Sequence, residues 1–134
     1  MRGLLDTSAV ILMSRLGDDS TLPDEPLISA ITLAELSVGP LVARSEPERE
    51  LRLAHLQGAE AAFRPLPFDA EAARAFARVA ASFRRAGRKA SARTFDAMIA
   101  AVAISNGLAL YTCNPADFAG IDGLDVVTVA VPNR

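Results

Sequence analysis

Apolar positions along the chain fall into short compact runs that alternate with longer amphipathic stretches. Gly3–Leu5 has the length of a strand, and Thr7–Leu16 follows it as a helix. The stretch DDSTLPDEP, Asp18–Pro26, gathers two prolines and several turn formers and reads as a loop. Leu27–Ser29 predicts a second strand and Thr32–Leu41 a second helix. Ser45–Phe63 predicts a long helix, opened by Ser45 and Glu48 at capping-box spacing with Pro47 in its first turn. Arg64–Phe68 predicts a third strand. Asp69 caps a helix from Ala70 to about Ala86, with Phe76, Val79, Ala80 and Phe83 on one face and Gly87 as its stop. Thr94–Ser105 is almost wholly apolar, with Thr94 as its cap and Asn106–Gly107 as its end. Leu108–Thr112 and Val126–Val131 predict the fourth and fifth strands. Strands alternating with helices imply an α/β sandwich around a parallel sheet of about five strands. There is no internal repeat and no linker, so one domain is expected over residues 1–134.

Composition narrows what such a domain can do. Of 134 residues, 51% are hydrophobic, ample for a packed core. The mean hydropathy of +0.25 argues against disorder. The longest nearly unbroken apolar stretch, Ala97–Ile104, is far short of the ~20 residues of a membrane span, and Asp6 interrupts the N-terminal apolar run, so no signal peptide is expected. The expectation is a soluble, cytoplasmic protein without membrane contact. A lone cysteine, Cys113, excludes an internal disulfide and a cysteine-rich zinc site, and is expected to be a small buried residue. A lone histidine, His55, excludes a two-histidine acid–base mechanism and is expected on the surface of the long helix. With no Trp and one Tyr, a broad base-stacking platform is not available. A net charge of -2 means that any nucleic-acid function must use a local patch or a metal.

Four acids stand where a core domain would not need them. Asp6 lies just past the first strand, Glu35 (TLAEL) in the first turn of the helix after the second, Asp117 (CNPADF) just past the fourth, and Asp96 (TFDAMIAAVAI) at the head of the apolar helix leading into that strand. In open parallel sheets the ligand site lies beyond the carboxyl ends of the strands, and connectivity brings these acids towards that edge. Each also has a purely structural reading. Asp6 can cap a helix, Thr32 with Glu35 matches a capping box, Asp96 suits the positive end of a helix, and Asp117 suits a turn. Together the four would repel one another and raise one another's pKa values unless a cation sat among them. Carboxylates suit a hard divalent ion, Mg²⁺ or Mn²⁺, and such ions hydrolyse phosphodiesters by activating water and neutralising charge on the phosphate.

LLDTSAV, TLAEL, RTFDAMIAAVAISNGLALYT and CNPADF, in that order from Leu4 to Phe118, resemble a PIN-domain ribonuclease, and more narrowly a VapC-type toxin of a bacterial toxin–antitoxin pair. The resemblance implies a PIN-like three-layer α/β/α sandwich. It implies that Asp6, Glu35, Asp96 and Asp117 are catalytic and bind Mg²⁺ or Mn²⁺, directing water onto an RNA phosphodiester. The fourth position is open between Asp117 and Asn114, three residues earlier; Asp117 is assigned and Asn114 kept as a neutral minor ligand or hydrogen-bond donor. Thr7, Ser8 and Thr112 are candidates to orient the carboxylates, with helix and turn capping as the alternative. The implied partners are an RNA substrate, a VapB-type antitoxin and a second copy of the chain in a homodimer.

Between Arg74 and Arg93 the chain carries seven basic residues and no acid. Arg74 and Arg78 read as a solvated helix face. Arg84, Arg85, Arg88, Lys89 and Arg93, just before Asp96, are candidates to guide RNA phosphates, with a solvated face as the alternative. Two other functions fit the same fold. A phosphatase forming an aspartyl-phosphate at Asp6 wants a second acid two residues on, where Ser8 stands. A binding module without catalysis has no need to keep four mutually repelling carboxylates together.

Overall fold

A computed structural model describes residues 1–16 and 21–131. Within it β1 (Arg2–Leu5), β2 (Glu25–Leu27), β3 (Ala109–Thr112) and β4 (Val126–Thr128) form a parallel sheet in the order β2-β1-β3-β4. Five α-helices accompany it: α1 (Thr7–Leu16), α2 (Ala30–Val38), α3 (Glu46–Ala62), α4 (Ala70–Arg85) and α5 (Thr94–Ser105). Alternation along each strand sorts the core into two halves. Leu4 and Leu110 point towards α4 and α5, where Val79, Phe83, Ile99 and Val102 are buried. Leu5 and Tyr111 point the other way, towards Val10, Leu12, Leu36 and Ala59 of α1, α2 and α3. The result is a three-layer α/β/α sandwich.

The sheet has four strands where five were expected. Arg64–Phe68 contributes one parallel bridge, Leu66 to Ser29, made by Leu66 N–H to Ile28 O (2.9 Å) and Ala30 N–H to Leu66 O (2.8 Å). Pro65 and Pro67 flank Leu66 and have no N–H to donate, so the ladder cannot extend.

Other boundaries differ for local reasons. The second strand lies at Glu25–Leu27 rather than Leu27–Ser29, because Ser29 turns away to cap α2, its Oγ accepting from Thr32 N–H at 3.2 Å. That cap starts α2 at Ala30, and α2 ends at Val38 where a 3₁₀ turn, Gly39–Val42, takes over. Thr32 and Glu35 are therefore not a capping box, and Glu35 lies in the second turn, not the first. The fourth and fifth expected strands are shorter than their apolar runs, at Ala109–Thr112 and Val126–Thr128. Thr94 is the first residue of α5 rather than its cap, and its hydroxyl donates to Ser91 O at 3.1 Å. The expected loop Asp18–Pro26 lies partly outside the described residues; of its remainder, Glu25 and Pro26 belong to β2.

The caps at Ser45 and Asp69 are as expected: Ser45 Oγ accepts from Glu48 N–H at 3.2 Å, and Asp69 Oδ1 from Ala72 N–H at 3.0 Å. Among the described residues, no helix is long and apolar enough to cross a membrane.

Candidate functional site

The strand order reverses at β1, with β2 on one side and β3 on the other, so the crevice between the carboxyl ends of β1 and β3 is where an open α/β sheet places a ligand. Asp6 stands there, 5% exposed. Its N–H donates to Tyr111 O at 3.0 Å, which ties it to β3. Its Oδ1 accepts from Ala9 N–H (2.9 Å) and Ser8 Oγ (2.7 Å), and its Oδ2 from Thr112 Oγ1 (2.5 Å). Asp6 thus caps α1 and is also held in one orientation by hydroxyls from two elements. Those hydroxyls are themselves fixed: Ser8 Oγ accepts from Cys113 N–H at 3.2 Å and Thr112 Oγ1 from Asn114 N–H at 2.9 Å. Asn114 meets the cluster through its backbone, while its side chain is exposed.

Thr7 faces the opposite wall. Its hydroxyl donates to Glu35 Oε1 at 2.5 Å and lies 3.2 Å from the buried hydroxyl of Thr32, so α1 and α2 meet through Thr7, Thr32 and Glu35. Asp96, in the first turn of α5, and Asp117, in the 3₁₀ turn Pro115–Phe118 after β3, are linked through one guanidinium. Arg93 Nη1 lies 2.8 Å from Asp117 Oδ1 and 3.6 Å from Asp96 Oδ2.

The electrostatics show that the four acids share one region. The Asp96 carboxyl is pushed up to about 6, first by burial and then by the charges of Asp117, Glu35 and Asp6, with Arg93 opposing. The donor set is oxygen throughout, and a group whose ionisation three neighbouring acids disfavour is one that a cation would relieve. Among the described residues, no three acid, imidazole or thiol groups are gathered tightly enough to hold an ion unaided. Oxygen donors of this kind suit a hard divalent ion such as Mg²⁺, which binds through one or two carboxylates and keeps several waters.

The basic cluster divides. Arg85 pairs with Asp122 at 2.5 Å. Arg88 stacks over the Phe83 ring at 4.8 Å and donates to Ala119 O (2.8 Å) and Asp117 O (3.2 Å), fixing the turn that carries Asp117. Arg84 and Lys89 are exposed and line a cavity of about 530 Å³ with Arg88. Arg93 belongs to the acid cluster itself, which sequence reasoning missed; its i,i+3 spacing from Asp96 was the available signal. Thr32 was missed too, since its hydroxyl looked like a capping group.

Cys113 is half-buried rather than buried, and burial pushes its thiol pKa up, so it is no activated nucleophile. His55 is also half-buried and lines a cavity of about 360 Å³ between α1 and α3, with Val10, Met13 and Phe63.

The family model of the PIN domain matches residues 4–124. Ribonuclease VapC5 of Mycobacterium tuberculosis is 40% identical over 129 residues, covering 95% of this chain and 93% of that protein. Ribonuclease VapC1 of Rickettsia felis is 34% identical over 131 residues, covering 95% and 96%. The crystal structure of VapBC-5, a toxin–antitoxin system of Mycobacterium tuberculosis, superposes with a TM-score of 0.80 at 40% identity, over 97% of this chain and 98% of that one. The chain belongs to the VapC family of PIN domains.

Proposed function

We propose that the protein is a Mg²⁺- or Mn²⁺-dependent endoribonuclease, the toxin of a toxin–antitoxin pair, inhibited by its cognate VapB-type antitoxin. The observation that carries this reading is four acids at the carboxyl edge of the sheet near enough to feel one another, the Asp96 carboxyl being pushed up first by burial and then by the charges of Asp117, Glu35 and Asp6. Relatives named ribonucleases at 34–40% identity support RNA as substrate, and the toxin–antitoxin complex of the VapBC-5 relative supports the antitoxin.

In this reading one or two of Asp6, Glu35, Asp96 and Asp117 would ligate the ion directly and the others would meet it through its waters, with Asn114 as a minor contact. Bound there, the ion supplies neutralisation of the phosphate oxygens and eases deprotonation of an attacking water. Asp6 is kept in one rotamer by Ser8 and Thr112, and Glu35 by Thr7, so the site loses little freedom on binding. Arg84 and Lys89 give an exposed positive surface for phosphates beyond the cut, while Arg85 and Arg88 serve mainly to brace their own loops. Exposed Val38, Leu41 and Val42, at the end of α2, support contact with a protein partner, the antitoxin or a second copy.

The test is calorimetric titration with Mn²⁺. Binding is expected in the parent and its loss in the Asp6→Asn, Asp96→Asn double variant. Equal binding in both would place the ion elsewhere and overturn the reading.

A further inference from the structure

We propose that Phe95 is a stacking platform for an unpaired base of the RNA, next to the phosphate that is cut. The inference rests on the nuclease reading above and adds to it a substrate contact and a preference for single strands.

All six phenylalanines and the one tyrosine lie among the described residues, and Phe95 alone is exposed, at 52%. Phe83, Phe118 and Tyr111 are buried in the core, and Phe63, Phe68 and Phe76 are half-buried against it. One exposed aromatic ring is ordinary on a protein surface. Its position is not. Phe95 precedes Asp96 in the first turn of α5, and it lines one cavity of about 530 Å³ together with Glu35, Arg93 and Asp96. The same hollow therefore offers an apolar ring, a guanidinium and two of the four acids.

Those are the groups a nucleotide presents partners for. A base stacks on an aromatic face, and a phosphate seeks positive charge. The backbone that carries the ring is anchored, because Ala97, Ala100 and Ala101, immediately after it in α5, are fully buried. Every base has a π-face, so the contact tolerates sequence, but only an unpaired base can leave its own stack to reach it. Inside a paired stem both faces of every base are already covered by its neighbours. The platform therefore selects loops and single strands over helices.

The chain contains no tryptophan, so Phe95→Trp introduces a single tryptophan whose emission can be excited apart from that of Tyr111. Carried together with Asp96→Asn, so that RNA stays intact, it is titrated with a single-stranded oligoribonucleotide and with the same sequence as a blunt duplex. Quenching by the single strand and much weaker quenching by the duplex are expected. In cleavage assays on the parent background, Phe95→Ala is expected to raise KM about ten- to a hundredfold with a much smaller change in kcat, and Phe95→Tyr to restore it. Unchanged KM in Phe95→Ala, or equal quenching by single strand and duplex, would overturn the inference while leaving the nuclease reading intact. So would a change in oligomeric state on sedimentation of Phe95→Ala, which would make the ring a protein contact. A parent that neither cuts nor binds RNA would remove both.

Discussion

Arg93 Nη1 and Asp117 Oδ1 form an ion pair at 2.8 Å in the middle of the acid cluster, with Asp96 Oδ2 at 3.6 Å from the same nitrogen. The guanidinium thus stands beside the carboxylates that would otherwise face one another unscreened. Arg93→Gln is expected to lower metal-free stability by about 0.2–1 kcal/mol, the range of a partly exposed pair. It is also expected to tighten Mn²⁺ binding severalfold, since the local field becomes more negative. Calorimetry reads both effects, and weaker Mn²⁺ binding would contradict this role for Arg93.

Thr112 and Asp6 make the second relationship that substitution can probe. Thr112 is fully buried, and its hydroxyl both donates to Asp6 and accepts from Asn114 N–H. Thr112→Val leaves a buried carboxylate oxygen and a backbone N–H without that partner, at a cost of about 1–3 kcal/mol. Thr112→Ser keeps the hydroxyl and is expected to cost clearly less. Denaturant unfolding of the two variants side by side checks the order, and equal losses would show that the methyl group rather than the hydroxyl matters.

The raised Asp96 carboxyl couples stability to pH. Its ordinary value is 3.8 and its folded value about 6, so the folded state holds the proton more tightly than the unfolded chain does. The stabilisation is full below the unfolded value and is lost as pH rises through the folded one. Relative to Asp96→Asn, which carries no such proton, the metal-free parent is expected to lose about 1–2 kcal/mol between ~pH 4 and ~pH 7. Saturating Mg²⁺ is expected to recover much of that loss at neutral pH. Parallel pH profiles for parent and variant would contradict the coupling.

Gly3 packs β1 against β3 so closely that a Cβ there would lie 2.3 Å from Tyr111 Cε1 and 3.1 Å from Pro23 Cβ. Gly3→Ala is expected to destabilise by about 1–3 kcal/mol as the ring is forced aside. Because the Tyr111 carbonyl also accepts from Asp6 N–H, the variant is expected to weaken Mn²⁺ binding as well. Thermal melting with and without Mn²⁺ reads both, and an unchanged melting temperature would mean that the ring yields without cost.

Much of this molecule is legible in its residues. The bounds of α1 and α5 follow from Asp6 before one helix and Asn106–Gly107 after the other, where local chemistry and tertiary packing agree. Asp6 stands out because a carboxylate at the end of an apolar strand needs a reason. Arg64–Phe68 misleads because its alternation is that of a strand while its prolines remove the donors a strand needs. Thr32 and Glu35 mislead in the other direction. They match a cap by spacing, but Ser29 already fills that post, and this frees Thr32 and Glu35 to meet Thr7. Arg93 lies in a run of basic residues that looks uniform in sequence, and only the fold separates the one that reaches the acids from those that reach Asp122 or backbone carbonyls. Chain-local rules describe caps and faces well. They carry no information about which elements a long side chain will bridge.

The most direct test of the central claim is to incubate the purified, antitoxin-free protein with total bacterial RNA and Mg²⁺ or Mn²⁺ and to map new RNA ends, with EDTA and Asp96→Asn as controls. Cleavage at discrete positions by the parent, abolished by EDTA and by Asp96→Asn, is expected. Cleavage that survives both controls, or none at all from folded protein, would contradict a metal-dependent ribonuclease built on these four acids.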